Sequence, residues 1–217
     1  ECNELEIACD PPCMEGEICV DGFCVPEENQ NNDNISQYIE LIEGWNIWST
    51  FINPTDPNMS SIFLDIINNL IIIKDQYGNV YWPEFDLNSI GNISSGNAYQ
   101  AKMSEDATLI VSGDVLPSNL NLSFSEGWNM IGYLNQECYD VSDMMISLVN
   151  SDLLIILKDQ YGNVYWPDFS LNSIGDMCPG SGYQMKLSSA ASFSYPSTGR
   201  LSLNHIDFVS SLKYSNP

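Results

Sequence analysis

Apolar positions follow the same order twice along this chain. A short apolar run, over residues 43–51 and again over 126–134, predicts a strand in each copy. Apolar residues at the i, i+3, i+4, i+7 spacing follow over 59–70 and 141–149 and predict an amphipathic helix. The letters of the two helical segments differ while their spacing agrees, which indicates a shared fold. The N-caps predicted for these helices are Asn58 and Asp140.

The rest of each copy is a series of strand-sized apolar runs. The runs at 70–74 and 153–158 are each followed by a Gly-containing turn and then by Val-Tyr-Trp-Pro, which predicts a hairpin. Two more strands are predicted in each copy, at 98–103 and 108–112 and at 182–187 and 192–195. Each unit is therefore predicted to be β-α-β-β-β-β, and the fold class to be α+β and strand-dominated.

The duplication is visible in the letters as well as in the pattern. The sequence KDQYGNVYWP occurs at Lys74–Pro83 and again at Lys158–Pro167. The wider segments Ile71–Lys102 and Ile155–Lys186 are identical at 22 of 32 positions. A repeat of this size indicates two copies of one folding unit, so we expect two tandem homologous repeat domains.

Composition sets the boundaries around these units. Residues 1–25 hold five of the seven cysteines and are too short to bury a core of their own, so they predict a small disulfide-rich module. Residues 26–37 are polar, acidic and without periodicity, which predicts a linker. The remaining parts are repeat domain 1 at 38–118, repeat domain 2 at 119–197 and a C-terminal strand or tail at 198–217.

The cysteines indicate an oxidising compartment. Cys138 and Cys178 are present together in the second repeat and absent together from the first, as expected of bonded partners. In the N-terminal module we expect disulfides rather than zinc, because no histidine is near and CxxC pairs are absent. Cys2 is the expected orphan, and the pairing among the others stays open. The candidates for disulfide bonds there are Cys9, Cys13, Cys19 and Cys24.

Charge excludes two classes of partner. The chain carries 29 acidic residues against 6 basic ones, a net charge of −23, which repels nucleic acid and anionic membranes. No apolar stretch reaches the length of a transmembrane helix, so no membrane insertion is expected. The composition suits a solvated protein that is secreted or exposed at the cell surface. The sequence begins and ends without obvious domain termini, so we expect a segment of a larger protein.

Catalytic signatures are weak. His205 is the single histidine, and it lies outside both repeats. The motifs GxSxG, HExxH, the P-loop and the Rossmann fingerprint do not occur. The sequence therefore predicts a protein that is not an enzyme.

Calcium is the one candidate cofactor. The repeated turn Asp-Gln-Tyr-Gly-Asn offers Asp75 with Asn79 and Asp159 with Asn163 as oxygen ligands. It lacks the DxDxDG spacing of a calcium loop, and Asp and Asn also suit a turn without metal. We expect no other cofactor.

The lysines and aromatic residues repeat in register. Lys74 matches Lys158, and Lys102 matches Lys186. In so acidic a chain, we expect each of these lysines to have a local partner, either a carboxylate in a salt bridge or an asparagine in an isopeptide bond. The carboxylates proposed as partners are Asp75 or Glu84 and their copies Asp159 or Asp168.

Adjacent tyrosine and tryptophan on a strand point to opposite faces, so one of each Tyr-Trp pair is predicted to lie in the core. The outward rings are candidates for stacking on a sugar. We assign this role to Trp82 and Trp166.

Two resemblances follow from these motifs. The segments EGWNIWSTFINP and IIIKDQYGNVYWPEFDLNSIGNISSGNAYQAKM resemble a repeat module of large secreted and surface proteins of Bacteroidetes and other marine bacteria, exported by the type IX pathway. Both copies match, although Gly96–Tyr99 departs from the family's G.GYQ pattern and Gly180–Tyr183 keeps it. The stretch PPCMEGEICVDGFCV is similar to EGF-like or knottin-like modules.

The repeat resemblance implies a surface or adhesion module without catalytic residues. We therefore expect a non-catalytic extracellular structural or adhesion segment of a larger surface protein, a filament or an appendage. The alternatives are a lectin-like carbohydrate-binding module and an accessory domain of a secreted hydrolase. Expected partners are other protein subunits or cell-surface glycans, with a homo-oligomer or fibre as the assembly.

Overall fold

A computed structural model of the chain describes residues 35–196, together with the backbone of two upstream strands. Those strands, β1 (Glu17–Val20) and β2 (Phe23–Pro26), form an antiparallel hairpin within a compact unit that covers Glu1–Asn34. A second compact unit begins at Ile35 and holds both repeats. The predictions made for the cysteine side chains of the N-terminal module, for the linker up to residue 34, for the tail beyond residue 196 and for His205 lie outside the described residues.

The first repeat begins earlier than its sequence pattern predicts. Its first strand starts at Ile35, so the last three residues of the predicted linker, 35–37, belong to a sheet. Its strands are β3 (Ile35–Leu41), β4 (Gly44–Trp48), β5 (Ile52–Pro54), β6 (Leu70–Lys74), β7 (Val80–Trp82), β8 (Leu87–Asn88), β9 (Tyr99–Met103) and β10 (Ala107–Val115). Its helical segments are α1 (Met59–Ile62) and the 3₁₀ helices Leu64–Asn69 and Pro83–Phe85.

The second repeat has a similar order of elements, but it lacks a counterpart of β5 and contains an additional strand pair, β13 and β17. Its strands are β11 (Leu122–Phe124), β12 (Gly127–Gly132), β13 (Tyr139–Asp140), β14 (Leu154–Lys158), β15 (Val164–Trp166), β16 (Leu171–Asn172), β17 (Asp176–Met177), β18 (Gly182–Leu187) and β19 (Ala191–Phe193). Its helical segments are α2 (Val141–Met144), α3 (Ile146–Asn150) and the 3₁₀ helix Pro167–Phe169.

Antiparallel sheets dominate both repeats, which confirms the strand-dominated α+β class. A five-stranded sheet has the order β4-β9-β6-β7-β8 in the first repeat and β12-β18-β14-β15-β16 in the second. A smaller sheet accompanies each, β3-β10-β5 and β11-β19, and β13 pairs with β17. The repeats thus contain more strands than the predicted unit. Strands as short as β8 and β16, with two residues each, carry no alternation that a sequence pattern could reveal.

The predicted helices are wrong in their continuity. The segment 59–70 is divided at Phe63 into α1 and a 3₁₀ helix, and the segment 141–149 is divided at Met145 into α2 and α3. Both residues at the breaks have φ −95° and are fully buried, so core packing holds the bend. The two N-caps are confirmed, because Asn58 and Asp140 each accept a hydrogen bond from the backbone N–H two residues on.

Each repeat has its own apolar core. Tyr81 and Tyr165 are buried in these cores, which confirms that one residue of each Tyr-Trp pair is internal. A disulfide joins Cys138, which precedes β13, to Cys178, which follows β17, in the second repeat. A third, small apolar cluster joins the repeats to each other and consists of Ile47, Ala98 and Met130.

Candidate functional site

The Gly-Trp-Asn segments fix one exposed tryptophan at the start of each large sheet. Gly44 and Gly127 have φ values of +94° and +88°, a backbone conformation that favours glycine. The buried side chain of Asn46 accepts a hydrogen bond from the Ile42 N–H at 3.0 Å and donates one to the Ile42 carbonyl at 2.7 Å. Asn129 makes the same pair of bonds to the backbone of Ser125. The asparagine therefore holds the turn while the preceding tryptophan points outward.

A cluster of one tryptophan and two lysines lies on the outer face of the first large sheet. Trp45 on β4 is directly opposite Lys102 on β9, and Lys74 lies on the next strand, β6. The Nζ atoms of Lys74 and Lys102 lie 5.0 and 5.9 Å from the centroid of the Trp45 ring. The ring is 46% exposed, so much of its surface is open to solvent.

The second repeat carries the same cluster. The Nζ atoms of Lys158 and Lys186 lie 5.0 and 5.9 Å from the centroid of Trp128, which is 50% exposed. These contacts are cation–π interactions, each of about 0.5–1 kcal/mol at exposed sites. The partners that the structure gives to the repeat-matched lysines are thus indole rings rather than the carboxylates or asparagines that the sequence suggested. We call the two sets the Trp–Lys clusters.

The Trp–Lys clusters concentrate the positive charge of the repeats. Residues 35–196 contain four basic residues, and all four belong to these clusters. The other two basic residues of the chain are Arg200 and Lys213. In a chain of strongly negative net charge, the basic residues of the repeats are therefore gathered around two exposed indoles.

A groove of about 390 Å³ adjoins one of the clusters. It runs along the boundary between the repeats, with Trp128 of the second repeat on one side and the loop after β6 of the first repeat on the other. We call it the Trp128 groove. It is lined by Asp75, Gln76, Gln100, Trp128, Asn129, Met130 and Gln184.

The repeats contact each other through reciprocal hydrogen bonds. The Ile47 N–H donates to Gln160 Oε1 at 2.8 Å, and its counterpart, the Met130 N–H, donates to Gln76 Oε1 at 2.7 Å. A second pair of bonds is also exchanged, from the Ser49 N–H to the Gly180 carbonyl at 3.0 Å and from the Gly132 N–H to the Gly96 carbonyl at 2.8 Å. Each repeat gives the other the same groups, so the contact has approximate twofold character.

Packing at this boundary pairs a glycine of one repeat with a larger residue of the other. A Cβ atom at Gly182 would lie 2.5 Å from Ala98 Cβ, and one at Gly132 would lie 2.9 Å from Ser49 Cβ. Ala98 is the first-repeat equivalent of Gly182, and Ser49 is that of Gly132. In both pairs the first repeat supplies the side chain and the second supplies the space.

The calcium candidates are occupied by hydrogen bonds within their own turns. Asp75 Oδ1 accepts from the N–H groups of Tyr77 and Asn79, and its Oδ2 accepts from Asn79 Nδ2 at 2.7 Å. Asp159 and Asn163 repeat this arrangement in the second copy. Within residues 35–196 no group of three or more His, Cys, Asp or Glu side chains is placed to hold a metal ion.

The aromatic residues assigned to sugar stacking are less open than those in the Trp–Lys clusters. Trp82 and Trp166 are partly buried and meet the rings of Phe85 and Phe169 edge to face, at centroid distances of 4.5 and 4.4 Å. The sequence shows that Trp45, Trp128 and the four lysines repeat in register. It does not show that they converge, because that depends on the pairing of β4 with β9 and of β9 with β6.

Burial raises the pKa of four tyrosines in the cores of the repeats. Desolvation by burial raises the pKa of Tyr99 and Tyr183, although their phenol oxygens accept hydrogen bonds from the N–H groups of Ser94 and Cys178. Burial also raises the pKa of Tyr133 and Tyr195. The Tyr195 phenol donates a hydrogen bond to the Gly132 carbonyl at 2.9 Å. These phenols stay neutral at physiological pH and have structural roles.

Comparisons with known proteins give no relative from which a role could be carried over. Searches against protein-family models, curated proteins and solved structures find no significant match. Among the helices of the described part, none combines the length and apolarity needed to cross a membrane.

Proposed function

We propose that this chain is a non-catalytic structural or adhesion segment of a larger secreted surface protein. The reciprocal boundary between the repeats is the observation that carries the proposal. Hydrogen bonds from Ile47 to Gln160 and from Met130 to Gln76 join two homologous domains into one body. Two domains joined in this way resist independent movement, which suits a segment that spaces or anchors other parts of a protein.

The surroundings expected for such a segment agree with its chemistry. The disulfide between Cys138 and Cys178 supports an oxidising, extracellular location. The net charge of −23 supports a well-solvated surface. The resemblance of both copies to repeat modules of exported bacterial surface proteins supports the same setting. Partners in this proposal are other protein subunits or cell-surface glycans, in a homo-oligomer or a fibre.

Mechanical unfolding of single molecules tests the proposal. The 217-residue chain is held by both ends and stretched, and the extension gained at each rupture is recorded. We expect residues 35–196 to open in one rupture, because neither repeat keeps its boundary partners once the other unfolds. When the disulfide is reduced, the 40-residue loop that it closes should add about 14 nm to the extension gained, at roughly 3.6 Å per residue. Two separate ruptures of similar length at low force would show that the repeats unfold independently and would refute the single body.

Carbohydrate binding is the second candidate function, and the Trp128 groove is the observation that favours it. An exposed indole beside amide side chains is the usual platform for the apolar face of a sugar ring. The groove lies within the range of small-ligand pockets, about 300–1,000 Å³. A glycan array probed with the wild-type chain and with Trp128→Ala tests this function. Trp82→Ala is the matched control, since that ring lies away from the groove.

A further inference from the structure

The position of the lysines is the unexplained feature of the repeats. In residues 35–196 the four lysines all lie against Trp45 or Trp128, although 29 acidic residues in the chain offer partners for salt bridges. Lysines that served only solubility or ion pairing would be spread over the surface. Both copies keep the same arrangement, at the same distances of 5.0 and 5.9 Å. The arrangement therefore pairs a flat aromatic surface with two positive charges.

Some polar groups of the Trp128 groove are already hydrogen-bonded within the protein, and others line the open groove. The Asp75 carboxylate accepts three hydrogen bonds from its own turn, and the Asn129 amide is bonded to the backbone of Ser125 and Gly127. Gln76 Oε1 accepts from Met130. Gln100 and Gln184 lie at equivalent positions of β9 and β18 and line the groove from the two repeats. The groove thus offers an indole and two amides. The ammonium groups of Lys158 and Lys186 are not part of its lining and lie 5.0 and 5.9 Å from the centroid of that indole.

The size of the groove favours a small ligand over a protein partner. Its volume of about 390 Å³ fits one or two sugar rings, whereas a stable protein interface covers about 800 Å² on each partner. A sugar ring stacks on the exposed indole through its C–H groups, and its hydroxyls reach the amides. An acidic group on that sugar would meet the ammonium groups of Lys158 and Lys186. These two ammonium groups favour an anionic sugar whose acidic group lies beside the lysines rather than beside the Asp75 carboxylate in the groove lining.

We infer that the Trp–Lys clusters bind saccharides that carry a carboxylate or sulfate group, with the Trp128 groove as the principal site. This inference rests on the second candidate function and narrows its ligand class. The binding residues are Trp128, Lys158, Lys186, Gln100 and Gln184. Trp45, Lys74 and Lys102 provide an equivalent cluster in the first repeat. The net charge of the chain opposes an anion at long range, but at about 0.15 M salt the screening length is about 8 Å, which weakens the effect of distant carboxylates.

Titration calorimetry of the full chain at this salt concentration tests the inference. The probes are oligogalacturonate for a carboxylate, carrageenan oligosaccharides for a sulfate, neutral galactan oligosaccharides, and polyglutamate as an acidic polymer without sugar. We expect at least tenfold tighter binding of one or both anionic saccharides than of the neutral one and of polyglutamate. The two anionic arms identify which acidic group is preferred. Binding should weaken as the salt concentration rises.

Variants assign the binding to its residues. Lys158→Gln with Lys186→Gln should weaken binding of the anionic saccharide at least tenfold while leaving binding of the neutral one nearly unchanged. Lys158→Arg with Lys186→Arg keeps the charges and should retain binding. Trp128→Ala should abolish binding of every saccharide, and Trp128→Phe should retain part of it. Thermal unfolding of each variant verifies that the fold is intact.

The outcomes separate the inference from the function on which it rests. Equal binding of neutral and anionic saccharides would refute the anionic ligand and leave the carbohydrate-binding function standing. Failure of every saccharide to bind would refute both. Polyglutamate bound as tightly as oligogalacturonate would show that charge alone is recognised and would also overturn the inference. Binding unchanged in the Trp128 and lysine variants would place the site elsewhere.

Discussion

Replacing Gly182 by alanine tests the packing between the repeats. At an ordinary backbone conformation without crowding, a Gly-to-Ala change stabilises a protein by about 0.4–1 kcal/mol, because it restricts the unfolded chain. Here the added methyl group would lie 2.5 Å from Ala98 Cβ, 2.9 Å from Ile47 Cγ2 and 3.0 Å from the Trp48 carbonyl. Overpacking of this kind costs about 1–3 kcal/mol. We therefore expect Gly182→Ala to lower the free energy of unfolding by about 1–2 kcal/mol.

The reciprocal change at Ala98 provides the control. Ala98→Gly removes a buried methyl group and should cost about 1 kcal/mol by itself. In the double variant the nearest clash is gone, so we expect its loss of stability to be smaller than the sum of the two single losses. Urea unfolding at constant m-value gives all three numbers and the coupling between them. A Gly182→Ala protein as stable as the wild type, with additive losses in the double variant, would refute the close packing.

Three further predictions concern stability and are each read from urea unfolding. Asn46→Ala should cost about 2–3 kcal/mol, because the backbone groups of Ile42 lose their buried partners; a cost below 0.5 kcal/mol would contradict this role. Cys138→Ser with Cys178→Ser should cost about 4 kcal/mol in the chain-entropy model for a 40-residue loop, and an unchanged midpoint would contradict a formed bridge. Burial raises the pKa of Tyr195 in the folded state, so its contribution to the free energy of unfolding is fully present below the pKa of the unfolded chain, about 10, and is lost as the pH rises above it. Tyr195→Phe should therefore lose less stability between about pH 9 and 11 than the wild type.

The strand pattern and the duplication could be predicted from the sequence, because both depend on local information. The apolar run of β6, the alternation in β9 and the hairpin of β6 and β7 are encoded within a few residues. The joint presence of Cys138 and Cys178 in one repeat likewise pointed to the bond between them. The broken helices could not be predicted, since the break at Phe63 follows from burial in a core that the sequence pattern does not describe.

The candidate site was only partly predictable for the same reason. The sequence shows four lysines in matched positions, and charge alone suggests carboxylates as their partners. The sheet order β4-β9-β6 instead places Lys102 on the strand next to Trp45 and Lys74 on the strand after that. Both lysines reach the same indole ring. The Trp128 groove is formed by residues from both repeats, so it exists only once the repeats have paired.

The glycines at the boundary make the two repeats non-interchangeable. Two copies of the first repeat, paired in this geometry, would bring Ala98 against Ala98 and Ser49 against Ser49, at the Cβ separations of 2.5 and 2.9 Å that a glycine now avoids. Two copies of the second repeat would place Gly132 and Gly182 against themselves and leave gaps. The boundary is thus selective for pairing a first repeat with a second repeat. Pairing of two like repeats from different molecules is thereby disfavoured, by steric conflict between first repeats and by gaps between second repeats.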